Sequence, residues 1–337
     1  MSQRSRTIAI TVLKFAVPVV LILWLLWRIE PEQWETLRER PKDYPLLAAA
    51  LLAALTALCV SFFRWWTLVR CQGISLGLVE AFRLGAIGFL LSFVSAGSVG
   101  GDLFKMIFLA RRNPGKGIEA VASVVVDRGV GLLGLLVVVA AAMSGAAVSG
   151  NPELAKIGNA ALGLTGIGMA VLAILIFGGR PIDAILQRAA RWRYVGGMIT
   201  RIAGPIRVFH RHPFVFAAAL GLSFLVHGLM AVSVFWIARG LYGDLAPSLG
   251  EHLLIVSIAN LASAMPIAPA GVGVLEAAME WLYRVVPTEP TTASGTLVGL
   301  VFEIVKVVMG ILGLIFYWTA GREVRRSLAE TNRERGR

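Results

Sequence analysis

The chain has 337 residues, 57% of them apolar and only 15% charged, against about 45–50% and 25% in a soluble globular domain. That balance excludes a soluble enzyme, because the apolar residues come as long blocks from Ile8 to Ala320 and leave no polar stretch large enough for a separate catalytic domain. The net charge of +12 raises nucleic acid as a partner, but in a membrane chain such charge more often faces an anionic leaflet, and no recognition module accompanies it.

Crossing the hydrocarbon takes about 20 consecutive apolar residues. The first such block, Ile8 to Trp27, has too long an apolar core for a signal peptide and is followed by Arg28, Ile29, Glu30 and Pro31 instead of a small-residue cleavage site, so it reads as an anchor. A second span runs from Tyr44 to Phe63. The next apolar region, Leu78 to Ala110, is broken by Ser95-Ala96-Gly97-Ser98-Val99-Gly100-Gly101-Asp102. Its pieces are too short to cross, which predicts a re-entrant hairpin that enters and leaves by one face. Non-helical backbone survives at that depth only when buried in protein or lining a wet cavity.

Full spans follow at Ile118 to Val148 and Lys156 to Phe177; in the latter, Gly163, Gly166 and Gly168 are expected to be helix contacts. Residues 180–212, with seven Arg among apolar residues, predict an amphipathic connector on the inner leaflet. A span from Phe214 to Ala238 leads to a second broken region, His252 to Val286, interrupted by Pro266-Ile267-Ala268-Pro269-Ala270-Gly271-Val272-Gly273. The last span is Ser294 to Ala320, and the Arg-rich tail 321–337 is expected to lie against the leaflet. Cys59 and Cys71 match no metal or redox spacing and read as packing residues. The four His form no metal-binding pattern, so neither a metal nor a cofactor is expected.

With the N-terminus inside, 24 Lys and Arg fall on the cytoplasmic side or its span ends and seven outside, which places both termini in the cytoplasm. The order span, hairpin, span then occurs twice with opposite orientation, over 44–148 and 213–320. The fold class expected is therefore an all-α polytopic membrane protein in a single membrane domain, 1–337, with six full spans and two re-entrant broken-helix hairpins arranged as an inverted repeat. Inverted repeats with broken helices mark many transporter folds.

Each break starts a short helix inside the membrane, near Asp102 and near Gly273, and helix N-termini attract anions because their first N–H groups lack acceptors. Gly100, Gly101 and Asp102 with Gly271, Gly273 and Glu276 are thus candidate contacts for a lipid headgroup. Capping by Asp102 and close packing by the Gly residues are the competing readings. Ionisable groups inside spans are costly and mark pathways. Here they are Asp127 and Arg128, and Glu303 with Lys306 one turn on, where mutual neutralisation competes. Glu276 and Glu280 are expected to meet a cation or stay protonated.

Phe63-Arg64-Trp65-Trp66 followed by Gly73, then Ser95 to Lys105 with Gly100-Gly101-Asp102, Val126-Asp127-Arg128-Gly129-Val130-Gly131-Leu132, and Pro266 to Glu276 together resemble the membrane region of the lysylphosphatidylglycerol synthase/flippase family. Two-domain members make an aminoacyl lipid in a cytosolic domain and move it in the membrane domain. This chain runs only 17 residues past Ala320, so the resemblance implies a stand-alone flippase-like protein and argues against aminoacyl transfer.

The expectation is a lipid transporter of the cytoplasmic membrane with no catalytic residues. Its partners would be a membrane phospholipid or glycolipid and the anionic inner leaflet, with a homo-oligomer left open. The rivals are a membrane enzyme or enzyme subunit acting on lipid-linked sugar, and a non-transporting scaffold in envelope synthesis.

Overall fold

Asp43 accepts a hydrogen bond from the Leu46 N–H, and Pro45 occupies the first turn of the helix that follows, a start signal that needs no tertiary help. The computed structural model describes residues 31–94, 99–143, 151–179, 196–265 and 271–319, with isolated positions at 23–29 and 184–191. Eleven α-helices, one short 3-10 helix at Gly243–Leu245 and no strands form among them. In chain order the α-helices are α1 (Pro31–Glu39), α2 (Tyr44–Cys71), α3 (Leu78–Val94), α4 (Val99–Arg112), α5 (Gly117–Met143), α6 (Pro152–Phe177), α7 (Gly196–His210), α8 (Pro213–Tyr242), α9 (Leu249–Ser263), α10 (Val274–Val285) and α11 (Gly295–Thr319).

Five of these, α2, α5, α6, α8 and α11, are long and apolar enough to cross a membrane. They correspond to five of the six expected spans. Most of Ile8 to Trp27 lies outside the described residues, as do 95–98 and 266–270 in the two breaks, most of 180–195, and the tail. Two boundaries differ from expectation. The Asn151 side chain accepts from the Glu153 and Leu154 N–H groups and starts α6 at Pro152, ahead of Lys156. More important for function, α2 continues to Cys71, so Arg64 lies inside a helix and not at the span end expected for it.

The two broken regions each fold back on themselves. In the first, Arg112 pairs with Glu80 at the open end, and the Gly88 and Gly101 backbones meet near the closed end. In the second, Glu251 accepts from the Thr288 N–H at 2.7 Å, His252 meets the Tyr283 hydroxyl at 2.7 Å, and Gly271 packs on Ser263. Helices of 17 and 14 residues, and of 15 and 12, are about 18–26 Å long at 1.5 Å per residue, short of a ~30 Å hydrocarbon core.

Between the halves, α2 and α8 form an extensive antiparallel seam. The Asp43 N–H donates to the Gly240 carbonyl, the Ser233 hydroxyl to the Ala50 carbonyl and Arg64 to the Ser223 hydroxyl, so the register holds along both helices. Arg40 and Lys42 donate to the last carbonyls of α8, where the helix dipole favours cations. The base of the α3–α4 hairpin therefore lies at the end of the bundle where α2 stops, and the base of α9–α10 at the opposite end, where α8 stops. Each hairpin also reaches across: α3 packs on α11, and α9 on α5.

The main core joins α2, α8, α9, α10 and α11 through residues such as Leu58, Val234, Ile255, Leu282 and Phe302. Three local expectations are corrected. Gly163 and Gly166 face open space, and only Gly168 approaches a neighbour, Leu133 on α5, because α6 packs along one narrow stripe. Cys59 is exposed, since it sits on an outward face of α2. The connector is more than a surface helix: in α7, Phe209 is buried with Phe216, Leu68 and Leu172.

Candidate functional site

Asp127 and Arg128 lie ten and eleven residues into α5, and Glu303 and Lys306 eight and eleven into α11. At 1.5 Å per residue these are depths of about 12–17 Å, near the middle of a ~30 Å core. Two charged groups form there, one in each half.

In the first half, Asp102 sits in the opening turn of α4 and holds Arg128 with both carboxylate oxygens, at 2.6 Å from Nε and 3.0 Å from the terminal nitrogen. Lys105, one turn along α4, lies 3.9 Å from Asp102 and 4.8 Å from the centroid of the Trp65 ring. Asp127, on the neighbouring face of α5, accepts from Arg64 Nε at 2.8 Å. The same guanidinium donates to the Ser223 hydroxyl on α8 at 2.7 Å. Gly131 leaves the room that Arg64 fills, since a Cβ there would stand 3.1 Å from it, and its carbonyl meets His227 at 3.0 Å.

Three cations therefore surround two carboxylates, with one positive charge in excess. Arg64, Asp102 and Asp127 are buried, but the Arg128 side chain is 53% exposed. It emerges on the face of α5 that also presents Val121, Val125 and Leu132. A cation anchored by a carboxylate, at mid-depth and on an otherwise apolar face, can bind an anionic oxygen without carrying its counter-charge away.

The second group is built differently. Gly273 takes φ +85° and Gly271 φ +75°, a region open to glycine at no steric cost. Between them they turn the chain into α10. There the Glu276 carboxylate accepts from the Gly273 N–H at 2.6 Å, the reciprocal half of a capping box. The place an outside anion would take at this helix start is held by the chain's own carboxylate. Glu276 is fully buried, and its other oxygen has no hydrogen-bond partner. On α11, Glu303 and Lys306 form a buried ion pair, with Lys306 5.5 Å from the Phe302 ring centroid. Glu276 is within electrostatic range of both. Glu280 stands apart: it bonds Arg284 and accepts from the Thr296 N–H and Ser294 hydroxyl, capping α11 at the hairpin's base.

Of the ten residues singled out in the sequence, Asp102, Asp127 and Arg128 come together in the first group, and Glu276, Glu303 and Lys306 in the second. Gly271 and Gly273 shape the second turn, and Gly100 lies in the first turn of α4. Gly101 is a packing position: a Cβ there would stand 2.0 Å from the Gly88 carbonyl oxygen. Sequence reasoning missed Arg64, Lys105 and Ser223 as members. It counted Arg64 and Lys105 among the cytoplasmic charges, although apolar residues continue past Arg64 through Trp65, Trp66, Leu68 and Val69. Without Arg64, Lys105 and Arg128 the cytoplasmic count still stands at 21 against seven.

A family profile described as "Lysylphosphatidylglycerol synthase TM region" matches residues 8–313. No curated protein and no solved structure matches the chain.

Proposed function

The chain belongs to the lysylphosphatidylglycerol synthase TM-region family, and from that premise we infer that this multi-pass membrane protein moves a phosphate-bearing lipid headgroup across the cytoplasmic membrane. The observation that carries the reading is Arg128. It is half exposed at mid-depth, fixed by Asp102, and flanked along α5 by exposed apolar residues. A charge at that depth is expensive and marks a path by default. A lipid phosphate would meet the guanidinium while its acyl chains stay against Val121, Val125 and Leu132. Lys105, Arg64 and Asp127 set the local potential from behind, and the hairpin turns with Gly100, Gly271 and Gly273 would line the way.

Two features support alternating access. The hairpin bases lie at opposite ends of the bundle, and exchanging the halves carries one set of helix contacts onto the other. The packing of α3 on α11 becomes that of α9 on α5, the packing of α4 on α5 becomes that of α10 on α11, and the α2–α8 seam maps onto itself. We read this as an inverted repeat whose halves rock about the seam. The charge asymmetry of its loops supports a cytoplasmic location for both termini.

The test is a scrambling assay in vesicles, with fluorescent acyl-labelled phosphatidylglycerol and dithionite as the outer-leaflet quencher. Wild-type protein should expose inner-leaflet label to dithionite, and Arg128→Ala should slow this at least about tenfold, as expected for losing a charge-assisted contact of 1.5–3 kcal/mol. Equal rates in a folded Arg128→Ala variant would remove Arg128 from the path and the reading with it.

A further inference from the structure

The two charged groups have opposite imbalances. The first holds Arg64, Lys105 and Arg128 against Asp102 and Asp127; the second holds Lys306 alone against Glu276 and Glu303. The seam explains the difference. Along it α2 puts Arg64 onto Asp127 and onto Ser223 of α8, whereas Ser233 of α8 donates to the Ala50 carbonyl of α2. Where the first half supplies a guanidinium from its opening span to satisfy the second acid, the second half supplies a hydroxyl already committed to a backbone carbonyl.

Glu276 is the acid left over. Glu303 has Lys306 as its ion-pair partner, whereas Glu276 accepts only from backbone N–H groups, those of Gly273 and itself, and has no ion-pair partner and no exposed surface. The remaining charged groups on the packed elements are engaged elsewhere. Glu280 and Arg284 of α10 pair at the hairpin base, as do Glu251 and His252 of α9 with Thr288 and Tyr283. An ionised carboxylate with neither a cation of its own nor water is the costly state, and a proton is the smallest ligand that removes the charge. We propose that Glu276 is a proton-binding site of this protein, with Glu303 and Lys306 setting whether it is filled. The proton comes from and returns to the aqueous side, and its use as the coupling ion for lipid movement rests on the flippase reading above.

Infrared difference spectroscopy on the full chain in lipid nanodiscs reads the site directly. At neutral pH the wild type should show a protonated-carboxyl C=O band that fades as pH is raised, and Glu276→Gln should lack it. Should Glu276→Gln fail to fold, Glu276→Asp decides the point: the band should move to the higher C=O frequency of an Asp carboxyl, which a proton held on Glu303 would not do. A band unchanged in either variant, or no band in the wild type from pH 5 to 9, overturns the proposal. The vesicle assay run with and without an imposed pH gradient separates the two readings. A titrating Glu276 with no lipid movement keeps the proton site and removes the flippase. Lipid movement that ignores both the gradient and Glu276→Gln removes the coupling.

Discussion

At the scale of single residues, the Glu303–Lys306 pair tests whether buried charge here is structural or functional. Both side chains are nearly sealed from solvent, so deleting one partner leaves an uncompensated charge at a cost of roughly 3–5 kcal/mol. Glu303→Leu and Lys306→Met should each lower the unfolding midpoint in detergent markedly. The double change should restore most of the loss, because two apolar side chains of similar volume can replace a buried pair. If the double variant is as unstable as the singles, the pair does more than neutralise itself. This pair was legible in the sequence because three residues along a helix put two side chains on one face. The Arg64–Asp127 and Asp102–Arg128 pairs were not, since each joins different helices and no spacing rule reaches across 63 or 26 residues.

The hairpins are the elements on which everything else depends, and their closed ends rely on backbones in contact. At Gly101 an added methyl would stand 2.0 Å from the Gly88 carbonyl oxygen, and backbone on both sides leaves nothing flexible to yield. Gly101→Ala should therefore destabilise by about 1–3 kcal/mol, the usual cost of overpacking. Gly129→Ala, on α5 with nothing within 4 Å of the new methyl, should be neutral or stabilising by up to about 1 kcal/mol. Thermal unfolding in detergent compares them, and equal midpoints would show that α3 and α4 can move apart freely. The existence of both hairpins could be read from apolar stretches too short to cross. What could not be read was the role of each glycine. Gly101 looks like a residue kept small for a ligand, yet the atom it makes room for belongs to α3.

For the whole molecule, the arrangement predicts sidedness. Single cysteines at Gly115, beside the base of the first hairpin, and at Asp244, at the end of α8, should label from opposite sides of the membrane when Cys59 and Cys71 are replaced. Labelling from the same side would end the inverted arrangement. Long apolar blocks and two interruptions were enough to read the helical class and the order of its elements. The seam between α2 and α8 was beyond reach, because it is set by register between helices far apart in sequence and not by any local pattern.

One feature of the fold gains weight from this. Helix α6 packs along a thin stripe, with Leu154, Gly158, Ala161 and Leu172 as its buried residues, and has no counterpart in either half. By packing it is the least buried of the five described spans. On the inverted-repeat reading proposed above it is indispensable by parity: one crossing between two like halves would set the second upside down relative to the first. Without it both hairpins would open to the same compartment, and α2 and α8 would meet parallel, with Arg64 no longer opposite Ser223. On that reading the least buried of the described spans sets how the two halves face one another, by being an odd number.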